Sequence, residues 1–435
     1  MQGLDQCLAP DGPSCGSTAG STPQLLRRNL VAAACFVAAA IASCGSAWAV
    51  DKTYGPGVSD TEIKIGNTSP YSGPASAFSM VAKTEAAYFR KVNEEGGING
   101  RKITFISYDD GYSPPKTVEQ TRRLVESDEV LMVFNAMGTA TNSAVQKYLN
   151  AKKVPQLFVS SGAARWNDPR NFPWTIGFTP SYETEAEFYA KYLLEHRPEA
   201  KIAILFQNDD LGKDYVRGLK RGLGAKAQAM IVTEEPFDVS EPTIESHLVK
   251  LKASGADVLL DVATPKFAAQ VLKRLAEIGW RPLHILSYVS ASIGSVIKPA
   301  GLETAQGAIS AAYFKDPNDP AWKDDAGFAA FSAFVDRYLP AADRSDTLIV
   351  NGYNTAQALV HVLKQCSDDL SRENVMRVAA SLKDVDLGML LPGIRLHTSP
   401  DDFAPIKDWR LMRFEGSTWH LLDAGSVHPA SSARD

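Results

Sequence analysis

The sequence lacks any strong catalytic motif and any large excess of charge of one sign. It contains no P-loop, no HExxH zinc motif, no GxSxG nucleophile elbow, no cysteine pair spaced for zinc and no GxGxxG after the first strand. Its 45 Lys and Arg side chains nearly balance its 50 Asp and Glu side chains, giving a formal charge of -5. We therefore expect no metal, no cofactor and no nucleic-acid partner, whereas a small ligand remains open.

Apolar runs long enough to span a membrane are also missing from the first fifty residues. Two arginines, Arg27 and Arg28, precede a short apolar run over residues 30–42, and Ala47-Trp48-Ala49 follows. The run is too short to cross a bilayer core of roughly 30 Å, and the three parts are those of a secretory signal. We predict a signal peptide over residues 1–49, cleaved after Ala49, and a periplasmic location. Alternatively, residues 41–44 resemble a lipoprotein cleavage box, and a lipid on Cys44 would tether the protein to a membrane.

Cysteine is scarce as well. Four of the five cysteines lie in the predicted signal peptide, which leaves Cys366 alone in the mature chain. An exported protein with one cysteine has no internal disulfide, so its stability must come from a large hydrophobic core. With 435 residues, 45% of them hydrophobic, the chain is long enough for two domains of common size.

Short apolar runs alternate with amphipathic segments along the chain. Strands are predicted at 62–66, 102–108, 130–134, 157–160, 201–206, 229–234, 256–262, 284–288 and 308–314. Helices are predicted at 80–93, 114–126, 142–150, 213–223, 243–253, 267–278, 328–338, 353–363 and 372–380, and a hairpin at 409–421. Residues 172–180 interrupt the alternation. Two successive runs of this kind predict two doubly wound α/β lobes, which bind ligands at the carboxyl ends of their strands.

Three loops rich in small and hydroxylated residues follow strands of the first run, at 69–74, 138–141 and 160–164. Such loops let backbone N–H groups at helix N-termini approach an anionic group closely. Asp109 and Asp209 also follow strands, so an exported hydrolase is an alternative. Helix capping is the simpler interpretation of both, because no histidine or third carboxylate lies nearby at metal spacing.

Five segments together resemble one known family, the periplasmic solute-binding proteins of ABC transporters of the branched-chain amino acid (Leu/Ile/Val) type. The segments are Ser72-Gly73-Pro74, residues 93–100, Tyr108-Asp109-Asp110, residues 202–205 with Gly212, and residues 251–257. The resemblance extends from Ile63 to about Leu422. It implies a type I periplasmic binding protein, with two doubly wound lobes joined by a hinge, that is no enzyme.

The resemblance also implies where the lobe boundaries lie and which ligand and partner proteins the chain binds. We expect residues 58–180 and about 313–388 in lobe 1, residues 181–312 and about 389–424 in lobe 2, and a flexible tail at 425–435. The implied partners are a small carboxylate ligand and an inner-membrane ABC permease, with the binding protein itself a monomer. A ligand sensor for a membrane receptor is the alternative built from the same module.

In the first lobe, family contacts map onto five residues. The aromatic residue that covers the ligand matches Phe78, and the hydroxyl residue that binds the ligand carboxylate matches Thr139. The loop that meets the α-amino and carboxylate groups falls at Ser161, Gly162 and Ala164.

The second lobe departs from the family pattern. A family tyrosine aligns with Leu211, and the acidic residue that holds the ligand ammonium aligns with Phe267, beside Lys266. A buried ammonium without a carboxylate partner is costly to desolvate. We therefore expect an aromatic or aliphatic acid without an α-ammonium, unless a shifted alignment brings Asp238 or Asp261 into the site.

The signal-peptide interpretation predicts that the exported protein begins near Val50. Mass spectrometry of the protein recovered from the periplasm measures this start directly. A diacylated N-terminal Cys44 would show instead that the lipoprotein alternative is correct.

Overall fold

The computed structural model describes residues 52–422. The predicted signal peptide, Cys44 and the predicted tail at 425–435 lie outside the described residues. Within residues 52–422, no helix is both long and apolar enough to cross a membrane.

Strands and helices alternate along most of the described chain. The strands are β1 (Thr53–Tyr54), β2 (Glu62–Ser69), β3 (Lys102–Asp109), β4 (Met132–Phe134), β5 (Gln156–Val159), β6 (Thr175–Gly177), β7 (Ile202–Gln207), β8 (Ile231–Phe237), β9 (Val258–Val262), β10 (Leu283–Leu286), β11 (Ile309–Ala312), β12 (Asp369–Leu370), β13 (Arg410–Glu415) and β14 (Thr418–Leu421). The helices are α1 (Ser79–Glu94), α2 (Pro114–Glu126), α3 (Thr139–Ala151), α4 (Tyr182–His196), α5 (Asp210–Leu223), α6 (Ala227–Met230), α7 (Glu245–Ala253), α8 (Pro265–Glu277), α9 (Lys298–Ala300), α10 (Ala326–Tyr338), α11 (Leu348–Gln365) and α12 (Arg372–Ala379). A π-helix, Ile293–Ile297, lies before α9.

The strands form two large sheets and one small pair. The first sheet has the order β3-β2-β4-β5-β6 with all neighbours parallel. The second has the order β14-β13-β11-β10-β9-β7-β8, in which β13 and β14 run antiparallel at one edge. Parallel neighbours need crossover connections, and helices supply them, so the central strands are buried on both faces. Strands β4, β5 and β9 accordingly consist only of buried residues.

The chain passes between the two sheets more than once. It leaves the first sheet after β6, builds the second sheet through β11, and later returns to the second sheet as β13 and β14. In between, α11 packs closely on α1, where Gly352 lies against the backbone of Val81. Tyr353 of α11 also packs its ring against Tyr88 of α1, with centroids 5.3 Å apart. The predicted α/β fold with two lobes is confirmed.

The main difference from the sequence prediction is α4, which was not expected. Its residues include buried Tyr182, Glu185 and Tyr189 among other polar ones, so its apolar periodicity is weak. Six predicted helices also begin earlier in the structure than the sequence indicates, namely α1 at Ser79, α3 at Thr139, α5 at Asp210, α8 at Pro265, α10 at Ala326 and α11 at Leu348. Most of these added first turns carry few apolar residues, so packing within the fold stabilises them, whereas α11 begins with the buried apolar residues 348–350.

Helix α4 packs tightly against α5 because α5 carries glycines at two facing positions. A Cβ on Gly218 would lie 2.2 Å from the carbonyl oxygen of Glu183, and one on Gly222 would lie 2.6 Å from the Cβ of Ala190. Neither contact distance is possible for real atoms, so only glycine allows this approach of the two helices.

We predict that Gly218→Ala lowers the free energy of unfolding by about 1–3 kcal/mol, because the added methyl group forces the two helices apart. Lys213→Ala, at an exposed position of the same helix, is the matched control and should change stability by less than about 0.5 kcal/mol. Urea unfolding measures both. If Gly218→Ala is as stable as the control Lys213→Ala, the α4–α5 contact accommodates the methyl group and the prediction is wrong.

Candidate ligand-binding site

A cavity lies where the carboxyl ends of the two sheets meet. Its lining residues follow β2, β3, β4, β5 and β6 of the first sheet and β7, β9, β10 and β11 of the second. Its aromatic side chains are Phe78, Tyr112, Tyr182, Tyr288 and Phe314. Its smaller polar side chains are Ser160, Thr179, Thr264, Ser292, Thr347 and Asn351. The remaining lining residues are Val81, Met137, Gly138, Leu211, Val289 and Leu348.

The cavity surface carries no formal charge. Among the described residues 52–422, those that line the cavity include no Lys, Arg, His, Asp or Glu. Its polar groups are hydroxyls, one amide and backbone atoms. A ligand held here therefore meets aromatic and aliphatic surface together with neutral hydrogen-bonding groups.

Helix N-termini surround this uncharged surface. Gly138, Thr264 and Thr347 line the cavity, and each immediately precedes the first residue of a helix, α3, α8 and α11 respectively. None of these three residues caps its helix with a side-chain hydrogen bond. The N-terminus of a helix carries partial positive charge, which favours an anionic group although no cation lines the cavity. At α11 the first N–H, that of Leu348, already donates to Oδ1 of Asp346 at 3.1 Å, and α8 begins with Pro265, which has no N–H.

A buried carboxylate, Glu185 of α4, positions the aromatic wall of the cavity. It accepts hydrogen bonds from the hydroxyls of Tyr189 and Tyr215, both at 2.6 Å, and from the backbone N–H of Tyr288 at 2.8 Å. Tyr215 stacks on Tyr182, with ring centroids 5.1 Å apart. Glu185 thus holds the backbone of one lining tyrosine and, through Tyr215, supports the ring of another. Burial raises its pKa to about 7, an effect that these hydrogen bonds partly offset.

Two of the eight predicted ligand-binding residues, Phe78 and Leu211, line the cavity. Thr139 and Ser161 are buried just beyond it, and their hydroxyls hydrogen-bond to each other at 2.7 Å. The Tyr182 hydroxyl lies beside both of them. Tyr182 itself lines the cavity, so Thr139 and Ser161 lie in the layer behind the lining.

Gly162 and Ala164, which were also predicted to bind the ligand, lie outside this cavity. Both line a separate surface cleft, which residues 402–407 also line. The missing side chain of Gly162 makes room for Tyr182, because a Cβ there would lie 2.8 Å from its ring. The Ala164 N–H donates to Oδ2 of Asp214 on α5 at 2.9 Å, so it is already occupied by a protein group.

Phe267 and Lys266, the two other residues predicted to bind the ligand, do not line the cavity. Phe267 is fully buried in the core of the second sheet and packs against Phe237, with ring centroids 5.0 Å apart. Lys266 is exposed, with its ammonium 5.2 Å from the Phe267 ring centroid. The residue of this segment that reaches the cavity is Thr264. Proline at the first helical position marks the start of α8 in the sequence, and this signal could have identified Thr264.

The acids proposed as alternatives lie away from the cavity. Asp261 is buried and pairs with His284 at 3.2 Å, and Asp238 is exposed, with its backbone N–H donating to Oε1 of Glu241 at 2.7 Å. Asp109 accepts hydrogen bonds from the hydroxyl of Ser72 at 2.6 Å and from two backbone N–H groups. Asp209 caps α5 by accepting from the N–H groups of Leu211 and Gly212. None of these four acids lines the cavity.

Several lining residues could not be identified from the sequence. Tyr112, Tyr182 and Tyr288 come after strands but outside the hydroxyl-rich loops, and Thr347 and Asn351 belong to a helix that the sequence places too late. The common signal is position, since each lies within a few residues of a strand end or a helix start.

The raised pKa of Glu185 predicts a pH-dependent stability. Between its ordinary pKa of 4.5 and its folded value of about 7, the folded protein binds the proton more tightly than the unfolded chain. The free energy of unfolding therefore falls as pH rises through this window, by at most about 1.4 kcal/mol per pH unit from this group. Glu185→Gln removes this contribution, so the difference in stability between variant and wild type should change between pH 4.5 and 7.

Urea unfolding across that pH range measures the difference, because all other titrating groups are common to both proteins. Glu195→Gln, with its half-exposed side chain on the same helix, is the control and should follow the wild-type profile. Parallel profiles for Glu185→Gln and wild type would contradict the assignment.

Comparison with known proteins places the chain in a family. The family model described as periplasmic binding protein matches residues 62–418. A Leu/Ile/Val-binding protein homolog from Brucella suis is 23% identical over 340 residues, which span 76% of this chain and 86% of that protein.

Solved structures share the fold at low sequence identity. A branched-chain amino acid ABC transporter protein from Thermus thermophilus with bound valine aligns with a TM-score of 0.76 at 15% identity, covering 84% of this chain and 96% of that one. A solute-binding protein from R. palustris in complex with benzoate aligns with a TM-score of 0.70 at 17% identity, covering 83% and 95%. Because the family model matches most of its length, the chain belongs to the periplasmic binding protein family that includes the Leu/Ile/Val-binding proteins.

Proposed function

We propose that this protein is the extracytoplasmic solute-binding component of an ABC importer and that it captures a small organic acid with an aromatic or aliphatic body. Members of its family are binding proteins rather than enzymes. The observation that carries the proposed ligand class is the cavity, which lacks charged side chains among the described residues and is bordered by the N-termini of α3, α8 and α11.

The uncharged lining favours a carboxylate over a zwitterion. A carboxylate can accept hydrogen bonds from N-terminal N–H groups and from hydroxyls such as those of Ser160 and Thr347. An α-ammonium needs a carboxylate or several acceptors, and leaving it unpaired in a closed cavity costs several kcal/mol. Among structural neighbours, one is solved with valine and another with benzoate, so the fold accommodates ligands with and without an ammonium group.

The apolar lining supplies the remaining binding energy. Phe78, Tyr112, Leu211 and Phe314 present rings and methyl groups from both sheets. Burying the body of a ligand against them contributes about 25 cal/mol per Å² of apolar area. The gain is available only when both sets of residues touch the ligand, so binding shifts the protein towards its closed form, as hinge closure does in periplasmic binding proteins generally.

Matched ligand pairs test the proposal. We expect 3-phenylpropanoate and 4-methylpentanoate to bind and raise the melting temperature, whereas phenylalanine and leucine, which differ from them only by the α-amino group, do not. At 100 times its dissociation constant, a ligand stabilises the protein by about 2.7 kcal/mol. Submicromolar leucine binding by calorimetry would contradict the proposed ligand class.

A substitution in the lining tests whether the acid binds in the cavity. Thr264→Asp keeps a good helix-capping residue but adds negative charge to the lining, so acid binding should weaken at least tenfold. Thr243→Asp, at an exposed position of the same lobe, should leave binding unchanged. Equal effects of the two substitutions would place the acid elsewhere.

A further inference from the structure

A short segment between β5 and β6 of the first sheet contacts α5, the helix that follows β7 of the second sheet. The backbone N–H of Ala164 donates to Oδ2 of Asp214 at 2.9 Å. The guanidinium group of Arg165 donates to Oδ2 of Asp210 at 3.0 Å. Asp210 and Asp214 are four residues apart on α5, so they lie on the same face of the helix. These two contacts therefore join the two lobes outside the cavity.

Arg165 is held in place from the side of the first sheet. Its guanidinium group also donates to the Ser143 hydroxyl at 2.9 Å and to Oε1 of Gln146 at 3.1 Å, both on α3. The next residue, Trp166, is buried, and its indole N–H donates to the Ser161 hydroxyl at 2.9 Å. A side chain that is already ordered loses little conformational entropy when it forms one more bond. The first lobe thus presents Arg165 to α5 in a fixed orientation.

The two acids on α5 differ in exposure. Asp214 is buried, and its other carboxylate oxygen pairs with Arg217 of the same helix. The side chain of Asp210 is about half exposed. Exposed ion pairs contribute little, whereas a hydrogen bond from an N–H group to a buried carboxylate contributes more. Of the two contacts, we therefore expect the one between Ala164 and Asp214 to be the stronger.

These contacts lie beside the cavity without lining it. Ala164, Arg165, Asp210 and Asp214 are absent from the lining. Tyr182, which does line the cavity, donates its backbone N–H to the carbonyl oxygen of Gly162 at 2.8 Å, and its ring stacks on Tyr215 of α5. A ligand that packs against Tyr182 therefore adjoins both the segment that carries Ala164 and the helix that carries Asp214.

We propose that the contacts of Ala164 and Arg165 with Asp214 and Asp210 form a latch that holds the two lobes together around a bound ligand. This inference rests on the proposed function, and it adds that residues outside the cavity set how slowly the acid leaves. The latch bonds join the two lobes, so they break when the lobes separate. They act as positioning residues, because none of them touches the ligand. Losing the latch should speed dissociation and leave association, which starts from the open form, unchanged.

Two substitutions of Asp214 test the stronger contact by stopped-flow measurement of 3-phenylpropanoate and 4-methylpentanoate binding. Asp214→Leu removes the acceptor, which leaves the Ala164 N–H without a partner in the closed form but hydrated in the open form. The dissociation rate constant should rise about tenfold or more. Asp214→Asn keeps an oxygen that can accept from this N–H, so the rise should stay below about threefold. The association rate constant should change by less than about twofold in both variants.

A pair of exposed substitutions tests the second contact in case Asp214→Leu does not fold. Asp210→Asn and Arg165→Gln should each speed dissociation by about two- to fivefold. The double variant should dissociate no faster than the faster single variant, because both changes break the same contact. Glu195→Gln is the control, since this half-exposed carboxylate pairs with Lys191 of its own helix, and it should leave both rate constants unchanged.

Urea unfolding of the ligand-free variants separates a latch from a purely structural role. The latch predicts faster dissociation of the acid, with Asp210→Asn as stable as Glu195→Gln in the absence of ligand. If the variants lower stability but leave dissociation unchanged, or if Asp214→Asn and Asp214→Leu release the acid equally fast, the inference is wrong. Additive effects of Arg165→Gln and Asp210→Asn would also contradict it. If neither acid binds the wild-type protein, the proposed function fails and the inference fails with it.

Discussion

Parallel strand pairing is the constraint on which the site depends. Each parallel pair needs a crossover, and the helix that supplies it begins near the carboxyl end of the preceding strand. Two sheets built this way bring the starts of α3 and α8 to one cavity, and α11, which follows α10 along the chain, adds its own start. The partial positive charge at this place is thus a property of the backbone, and it needs no lysine or arginine in the lining.

Three buried carboxylates lie behind the cavity lining and hold lining residues in place by hydrogen bonds. Asp209 caps α5, Asp346 accepts from the Ser292 hydroxyl at 2.8 Å and the Leu348 N–H at 3.1 Å, and Glu185 is bonded by two tyrosines and a backbone N–H. Burial raises the pKa of all three groups. Each acid is used to orient lining residues, so the lining itself stays uncharged. This explains how a chain rich in acids near its site presents none to a ligand.

The sequence predicts the fold better than the site, and particular residues show why. Strand and helix periodicity come from burial against a sheet, so the alternation and the two-lobe architecture were predictable. The lining depends on which residue at the start of a helix faces the cavity: the resemblance indicates Phe267, whereas Thr264, three positions earlier, is the residue that lines it. Nothing in the segment around Thr139 shows that Tyr182, more than forty residues later, lies beside its hydroxyl. Such long-range contacts are set by packing between elements and leave no local pattern.

The central claim is that the backbone N-termini and neutral groups of the cavity hold the ligand carboxylate. The crystal structure of the complex with the tightest-binding acid tests this most directly. The claim predicts carboxylate oxygens about 3 Å from backbone N–H groups in the first turn of α3, α8 or α11, with no lysine or arginine within hydrogen-bond reach. A carboxylate paired with a cationic side chain, or a ligand seated in the cleft beside Gly162 and Lys407, would contradict it.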